Sequence, residues 1–414
     1  MKTLLALTLA LAVAMPAAQA QTAAPAAASA ASAPTLTVRA EVVAAMREAI
    51  ELHGAGKAAD ALARIDKVLA ELATPTPPEI AVLQRTRGLL ALQLDRPAEA
   101  VRSLELALAQ GLLQPADVVL AQDALARAQF ALKNYPAALD WARKAIAGGS
   151  RSAALPNVVA RSLYLSNDFA GAAQALEARL AAGEKLGEND VRILASSYAQ
   201  AKDDAGYTRT LERLLREHPR PEYWPDLMAR AQRQPGWQPR HDIDLYRLRL
   251  LVDAMEVADD YLLLADMTSR AGLPVEAEQV LEAGYAKGVL GKGPGAAEHQ
   301  KMRASIARAA SEDRQNLPAN AARLGAVGDA RSAAVALSTG AALVSIGQAE
   351  RGLELMKAAL AGPLADQDQG RLQLAIALHR AGRTPEALEQ LRSVATHPTL
   401  GLLARLWTTA LTRR

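Results

Sequence analysis

The feature that most constrains this chain is a local pattern returning at a nearly fixed interval: a turn residue, then in most copies an aromatic or Pro, then a small residue opening an apolar segment. It occurs as Gly56-Lys57-Ala58-Ala59-Asp60-Ala61, Asp95-Arg96-Pro97-Ala98-Glu99-Ala100, Asn134-Tyr135-Pro136-Ala137-Ala138 and Asn167-Asp168-Phe169-Ala170-Gly171-Ala172. It returns as Asp204-Ala205-Gly206-Tyr207, Gly272-Leu273-Pro274-Val275-Glu276-Ala277, Gly347-Gln348-Ala349-Glu350-Arg351-Gly352 and Gly382-Arg383-Thr384-Pro385-Glu386-Ala387. Successive copies end 39, 38, 34, 35, 70, 75 and 35 residues apart, the two long gaps being two periods each. A period near 34 residues predicts stacked helix-turn-helix units, none of which buries its apolar face alone.

A second position tests this register. Two helices of one hairpin can cross closely only where a side chain is small, and the residues twelve before each copy's end are Ala49, Gly88, Ala126, Ala160, Ala195, Ala265, Gly340 and Ala375. With 94 Ala and 26 Gly in 414 residues, eight small residues in eight places is a chance event on the order of 1 in 20,000 before allowing for the choice of register. Four residues after each end stand large apolar side chains, Ile65, Leu104, Leu176, Leu211, Leu281, Met356 and Leu391, with Ala142 beside Trp141 as the exception. Pro219, Pro363 and Pro398 follow the second helices and stop them.

Composition agrees with an all-α chain. Half the residues are apolar, yet only four Trp, eight Tyr and two Phe carry rings. A core of Ala and Leu favours close-packed helices and excludes an all-β fold. There is no cysteine, which removes disulfides, thiolate metal sites, cysteine nucleophiles and a lipidated N-terminal cysteine together. The net charge of +3 is too small for a nucleic-acid binder.

Residues 1–20 read as a signal peptide: Lys2, an apolar stretch from Leu4 to Met15, Pro16, and Ala18 and Ala20 flanking a cleavage site after Ala20. That stretch is shorter than the roughly 20 residues needed to span a bilayer, and nothing later is apolar enough. The expected location is the periplasm, with no integral span after cleavage. Residues 21–37 are an Ala/Ser/Pro leader, 38–220 a first array, 221–328 a degenerate middle region, and 329–414 further repeats with a capping helix from Leu402 to Leu411. In the middle region a short helix from Glu222 to Arg233 and a second from about Asp242 to Asp253 are expected, with loops at Gly288–Gly295 and Asn316–Asp329.

These spacings resemble the tetratricopeptide repeat family over most of residues 38–400, which implies an α-solenoid of helix-turn-helix repeats and no enzymatic activity. The middle region, through Tyr223-Trp224-Pro225-Asp226-Leu227, Asp244-Leu245-Tyr246-Arg247-Leu248 and Ala283-Gly284-Tyr285, is similar to uncharacterised proteobacterial periplasmic repeat proteins often encoded beside TonB-type genes. In the family, set positions of each first helix line a concave groove. Here those positions carry Arg85; Arg127 with Phe130; Asn157, Arg161 and Tyr164; and Asn189 and Arg192. The resemblance therefore implies a basic, amide-rich stripe for a protein or peptide partner with acidic groups. Toward the C-terminus the same positions turn apolar, with Ala341, Val344 and Ile376 among them. Trp224 and Trp237, in an aromatic group between 223 and 261, are either a bulkier core or a second docking place.

Catalytic patterns are missing. Gly291-Lys292 lacks the glycine five residues earlier and the following Ser or Thr of a phosphate loop. No two of the six histidines share a helical turn, so no paired-histidine metal site forms on one helix. No cofactor is expected. The reading is a non-enzymatic interaction scaffold; the alternatives are an assembly factor for outer-membrane or polysaccharide-export machinery and a cell-wall or peptide-processing enzyme. N-terminal sequencing of the mature, soluble periplasmic protein should start at Gln21; an intact Met1 on membrane-bound protein contradicts the export reading.

Overall fold

The structure, a computed structural model, describes residues 38–413, and among them every regular element is helical. The signal peptide and leader expected over 1–37 lie outside the described residues. The chain divides into two compact units, one ending at Lys202 and the other starting at Asp203.

In the first unit α1 (Ala40–Gly54) pairs with α2 (Ala58–Glu71), α3 (Pro77–Gln93) with α4 (Pro97–Ala109), α5 (Pro115–Ala131) with α6 (Tyr135–Ala147), and α7 (Leu155–Leu165) with α8 (Phe169–Ala181), followed by α9 (Glu188–Gln200). Each second helix packs on the next hairpin, and the first helices touch in order: α1 on α3, α3 on α5, α5 on α7, α7 on α9. This is the nearest-neighbour stacking of an α-solenoid built from tetratricopeptide-like hairpins.

A single left-handed residue makes each tight turn. Gly56, Gly272, Gly347 and Gly382 adopt it without steric penalty, and Asp95 and Asn167 adopt it with φ of 58° and 64°. At Asp95 the turn closes by Asp95 N–H to the Leu92 carbonyl and Arg96 N–H to the Ala91 carbonyl, satisfying groups that a helix end leaves open. At the third copy the left-handed residue is Lys133, not Asn134, which instead precedes the first residue of α6. Pro at the first or second position of α4, α6, α14 and α19 suits a helix start, where the missing N–H loses nothing.

The small-residue register is the packing register. Ala49, Gly88, Ala126, Ala160, Ala195, Ala265, Gly340 and Ala375 are all buried, as are Ile65, Leu104, Leu176, Leu211, Leu281, Met356 and Leu391. A Cβ on Gly88 would stand 2.5 Å from Leu104 Cγ and 3.1 Å from the Ala100 carbonyl oxygen. At the later hairpin two backbones meet: a Cβ on Gly352 would stand 2.5 Å from the Gly340 carbonyl oxygen, and one on Gly340 would stand 2.6 Å from that of Gly352.

The second unit holds α10 (Asp204–Glu217), a 3-10 turn at Pro221–Tyr223, α11 (Trp224–Gln232), α12 (Pro239–Leu251), α13 (Ala258–Arg270), α14 (Pro274–Lys287), α15 (Ala296–Ala322), α16 (Ala330–Ser345), α17 (Ala349–Ala361), α18 (Gln367–Arg380), α19 (Thr384–Val394) and α20 (Gly401–Thr412). The loop expected at Asn316–Asp329 is shorter, because α15 continues through Pro318 to Ala322. Leu317 and Ala321 are buried with Leu273, Ala342 and Leu343, and Arg351 Nη1 donates to the Pro318 carbonyl at 3.2 Å. Burial of that last turn outweighs the roughly 3 kcal/mol that Pro costs inside a helix.

The last helix does more than cover α19: it also packs on α10, α11 and α12 at the start of the same unit. Trp407 Nε1 donates to the Asp244 carbonyl at 3.1 Å, Thr399 Oγ1 to the Pro235 carbonyl at 2.7 Å, and Arg405 forks onto Glu212 at 2.7 and 3.0 Å. The second unit thus closes on itself. Behind this joint lies a buried charge cluster. Arg247 donates to Asp244 Oδ1 at 2.7 Å and to both Glu276 oxygens at 2.8 and 2.7 Å. Arg380 Nη1 reaches Glu276 Oε2 at 2.9 Å, and Gln369 Nε2 donates to Asp244 Oδ2 at 2.6 Å. Burial pushes the Asp244 carboxyl up, against the opposing pull of Arg247. Burial would also raise Glu276, but Arg247 and Arg380 outweigh it and hold its carboxyl down at about 2, from an ordinary 4.5.

Gly352→Ala should lower stability by about 1–3 kcal/mol, since backbone cannot yield as a side-chain tip can. Gly54→Ala, where a Cβ meets nothing within 4 Å, should be neutral or stabilising in the same melting experiment. Glu276→Gln should cost about 3 kcal/mol at neutral pH by leaving buried guanidinium groups short of an anion. Because the folded carboxyl is depressed, its stabilising share is complete above 4.5 and fades as pH falls toward about 2. Denaturant curves of parent and variant should therefore converge across that window.

Candidate functional site

The first-helix face of the first unit is where the repeat geometry gathers the expected site residues, on α3, α5, α7 and α9. Neighbouring first helices touch, so side chains from one helix reach those of the next. The stripe, however, is not four equivalent cations. Arg85 is only 5% exposed and forms an ion pair with Asp117 at the start of α5, so it fastens α3 to α5 and does not face a partner. Its Nε is buried without a hydrogen bond among the described residues. Arg127 Nε donates to Asp123 Oδ1 at 2.7 Å, and its side chain is 27% exposed over a nearly buried acid.

The remaining two cations, Arg161 and Arg192, are exposed. Arg161 is exposed, with its guanidinium carbon 5.3 Å from the centroid of Phe130 on the preceding first helix. Such stacking orients the cation without neutralising it. Arg192 is exposed and lies 3.9 Å from Glu188 one turn earlier, a loose contact of small worth. Tyr164 and Ser196 share a hydrogen bond of 2.8 Å between α7 and α9, and the Tyr164 ring meets Phe169 edge-on with centroids 5.6 Å apart. Asn157 is half-buried, and its Oδ1 has no hydrogen-bond partner among the described residues. Asn189 is exposed near the start of α9. The face therefore offers two available guanidinium groups, two amides and a rigid aromatic pair.

The aromatic group of the second unit separates into core and surface. Trp224 is 1% exposed and lies under the Arg413 guanidinium at 5.5 Å from the ring centroid, so it is unavailable for docking. Tyr223 and Tyr261 are buried as well, which favours the bulkier-core reading of the two weighed from the sequence. Trp237 is half-buried, donates from Nε1 to Asp242 Oδ1 at 3.0 Å, and meets His241 edge-on at 5.2 Å. Sequence reasoning missed the Asp244–Arg247–Glu276–Arg380 cluster. Its one local signal is the acid–base pair three residues apart on α12; the other members come from α14 and α18.

Among the described residues no three His, Asp or Glu side chains converge as a metal-binding set. No family model matches the chain, and no curated protein matches it. Solved structures that are similar include the C-terminal part of a TPR repeat-containing protein from Cytophaga hutchinsonii, at 14% identity over 63% of this chain and 95% of that one, with a TM-score of 0.35. The Naa15/Naa10 structure bound to HypK-THB matches at 13% identity over 90% of this chain and 68% of that one, with a TM-score of 0.33. Yeast Tom70 matches at 13% identity over 89% of this chain and 95% of that one, with a TM-score of 0.25. The fold described above stands on the hairpin geometry of this chain itself.

Proposed function

We propose that this protein is a non-enzymatic interaction scaffold of the periplasm that holds a protein or peptide partner on the first-helix face of its first unit. The observation that carries the reading is Arg161: an exposed guanidinium, fixed over Phe130, flanked by Asn157 and Tyr164 on its own helix and by Arg192 on the next. A preordered cation beside amide and hydroxyl groups suits a carboxylate-bearing partner, since little side-chain entropy is left to lose on binding. The periplasmic setting rests on the signal-like residues 1–20, and service to TonB-type envelope machinery rests on the resemblance of the middle region. Assembly of an outer-membrane or polysaccharide-export complex is the same chemistry with a different partner.

Arg161 and Arg192 are the residues to reverse. Arg127 is bonded at 2.7 Å to Asp123, whose side chain is 7% exposed, so a glutamate there would set a like charge against a nearly buried acid and disturb the fold. At Arg192 the acid one turn earlier, Glu188, is better solvated and 3.9 Å away, where a like charge costs only about 0.2–0.5 kcal/mol. The double variant Arg161→Glu, Arg192→Glu should keep the parent's circular dichroism and melting curve while losing the protein that the tagged parent retains from envelope extract. Retention by the parent should weaken as salt rises, because partly exposed charges are screened over about 8–10 Å. Equal retention by the double variant excludes this face as the binding site.

A further inference from the structure

Inside the second unit, α12, α13, α16 and α18 line a half-open cavity of about 360 Å³. That is within the usual range for a small-molecule site, roughly 300–1,000 Å³. Its walls are aliphatic, with Ile243, Leu273, Val344 and Ile376 nearly buried and Met267 half-buried. No aromatic ring lines it. Its polar groups are one-sided: Arg240, Arg247, Arg270 and Arg380 line the cavity with Ser338 and Gln373, and no acidic residue does. The acids that balance the two inner arginines, Asp244 and Glu276, are buried and absent from the lining.

The inner arginines are not equivalent. Arg247 is 10% exposed and directs its Nε and both Nη atoms at the two acids. Arg380 is 31% exposed and is held by one ion pair, from Nη1 to Glu276 Oε2. A guanidinium has five N–H donors, so most of those on Arg380 remain for a ligand. Both arginines contact the same Glu276 oxygen, which fixes them side by side. Two arginines against two acids are already balanced, so an anionic head group is favoured by the unfilled N–H donors of Arg380 and not by surplus charge. A single carboxylate, with two oxygens, matches that fork.

We propose that this cavity binds a small amphipathic carboxylic acid, its aliphatic chain lying along Ile243, Leu273, Val344 and Ile376 and its carboxylate bonded to Arg380. The site is independent of the partner-binding face of the first unit. The aliphatic part of the wall suits an alkyl chain, and the guanidinium groups of Arg247 and Arg380, side by side, mark the end where a carboxylate would lie.

Isothermal titration of the full mature chain with decanoate, below the concentration at which it forms micelles, should show one saturable site. Decanol should bind at least tenfold more weakly. Arg380→Ala should weaken decanoate binding at least tenfold and, because it takes one of two guanidinium groups from the buried Glu276, should also lower the melting temperature. Ala341→Phe, which fills the cavity and leaves the arginines in place, should weaken binding as much without that loss. The Arg161→Glu, Arg192→Glu variant should bind decanoate like the parent, so the two readings fail separately. The proposal is overturned by the absence of saturable decanoate binding, by equal affinity for decanol, or by parental affinity in both cavity variants. It is equally overturned if an acetylated pentapeptide ending in a free leucine carboxylate binds at least tenfold more tightly than decanoate, which would make the occupant a peptide terminus.

Discussion

Asp244 is the point on which the second unit depends. Its carboxylate accepts from Arg247 on its own helix and from Gln369 on α18, and its carbonyl accepts from Trp407 on α20. Three helices separated by 125 and 163 residues are thereby fixed to one fully buried residue. Burying that charge is expensive, and the partners that offset it must all be in place together. What the arrangement supplies is uniqueness: a slip of α18 by one residue would take the donor from Asp244 Oδ2, and a slip of α20 would part the Trp407 indole from the Asp244 carbonyl.

Where that joint supplies closure, the small-residue contacts supply period. Gly88 against Leu104, and Gly340 against Gly352, let paired helices approach to the limit of the backbone. The left-handed turn residues then reverse the chain in three residues at each of these hairpins. Function follows from these two devices separately. In the first unit the fixed step carries Phe130 beneath Arg161 and Tyr164 onto Ser196. In the second, α12, α13, α16 and α18 stand around a half-open aliphatic cavity.

The fold was legible wherever a constraint is local. Ala160 and Ala375 had to be small because a hairpin partner lies within a dozen residues in sequence, and a period is visible in one chain without any structure. The candidate face was legible only in part. Its positions follow from the period, but Arg85 is neutralised by Asp117, a residue of the following hairpin that no spacing rule connects to it. Trp224 read as core or as surface, with core the favoured reading, since an aromatic side chain serves both. Pro318 signals a loop by its chemistry, and only the burial of Leu317 and Ala321 against α16 overrides it. The Asp244 cluster was beyond reach for the same reason, its members lying on α12, α14 and α18.

The two units differ in when they can become complete. A stack of hairpins gains each contact soon after the relevant residues exist, so the first unit can condense stepwise from its N-terminal end, each hairpin templating the next. The second unit must hold α10, α11 and α12 unsealed until the 12 residues of α20 arrive. Until then its aliphatic interior stays open to solvent and to other chains, a window in which sticking competes with closing. α20 is therefore a timing element: until it docks, the Asp244 carbonyl lacks Trp407 and Glu212 lacks Arg405.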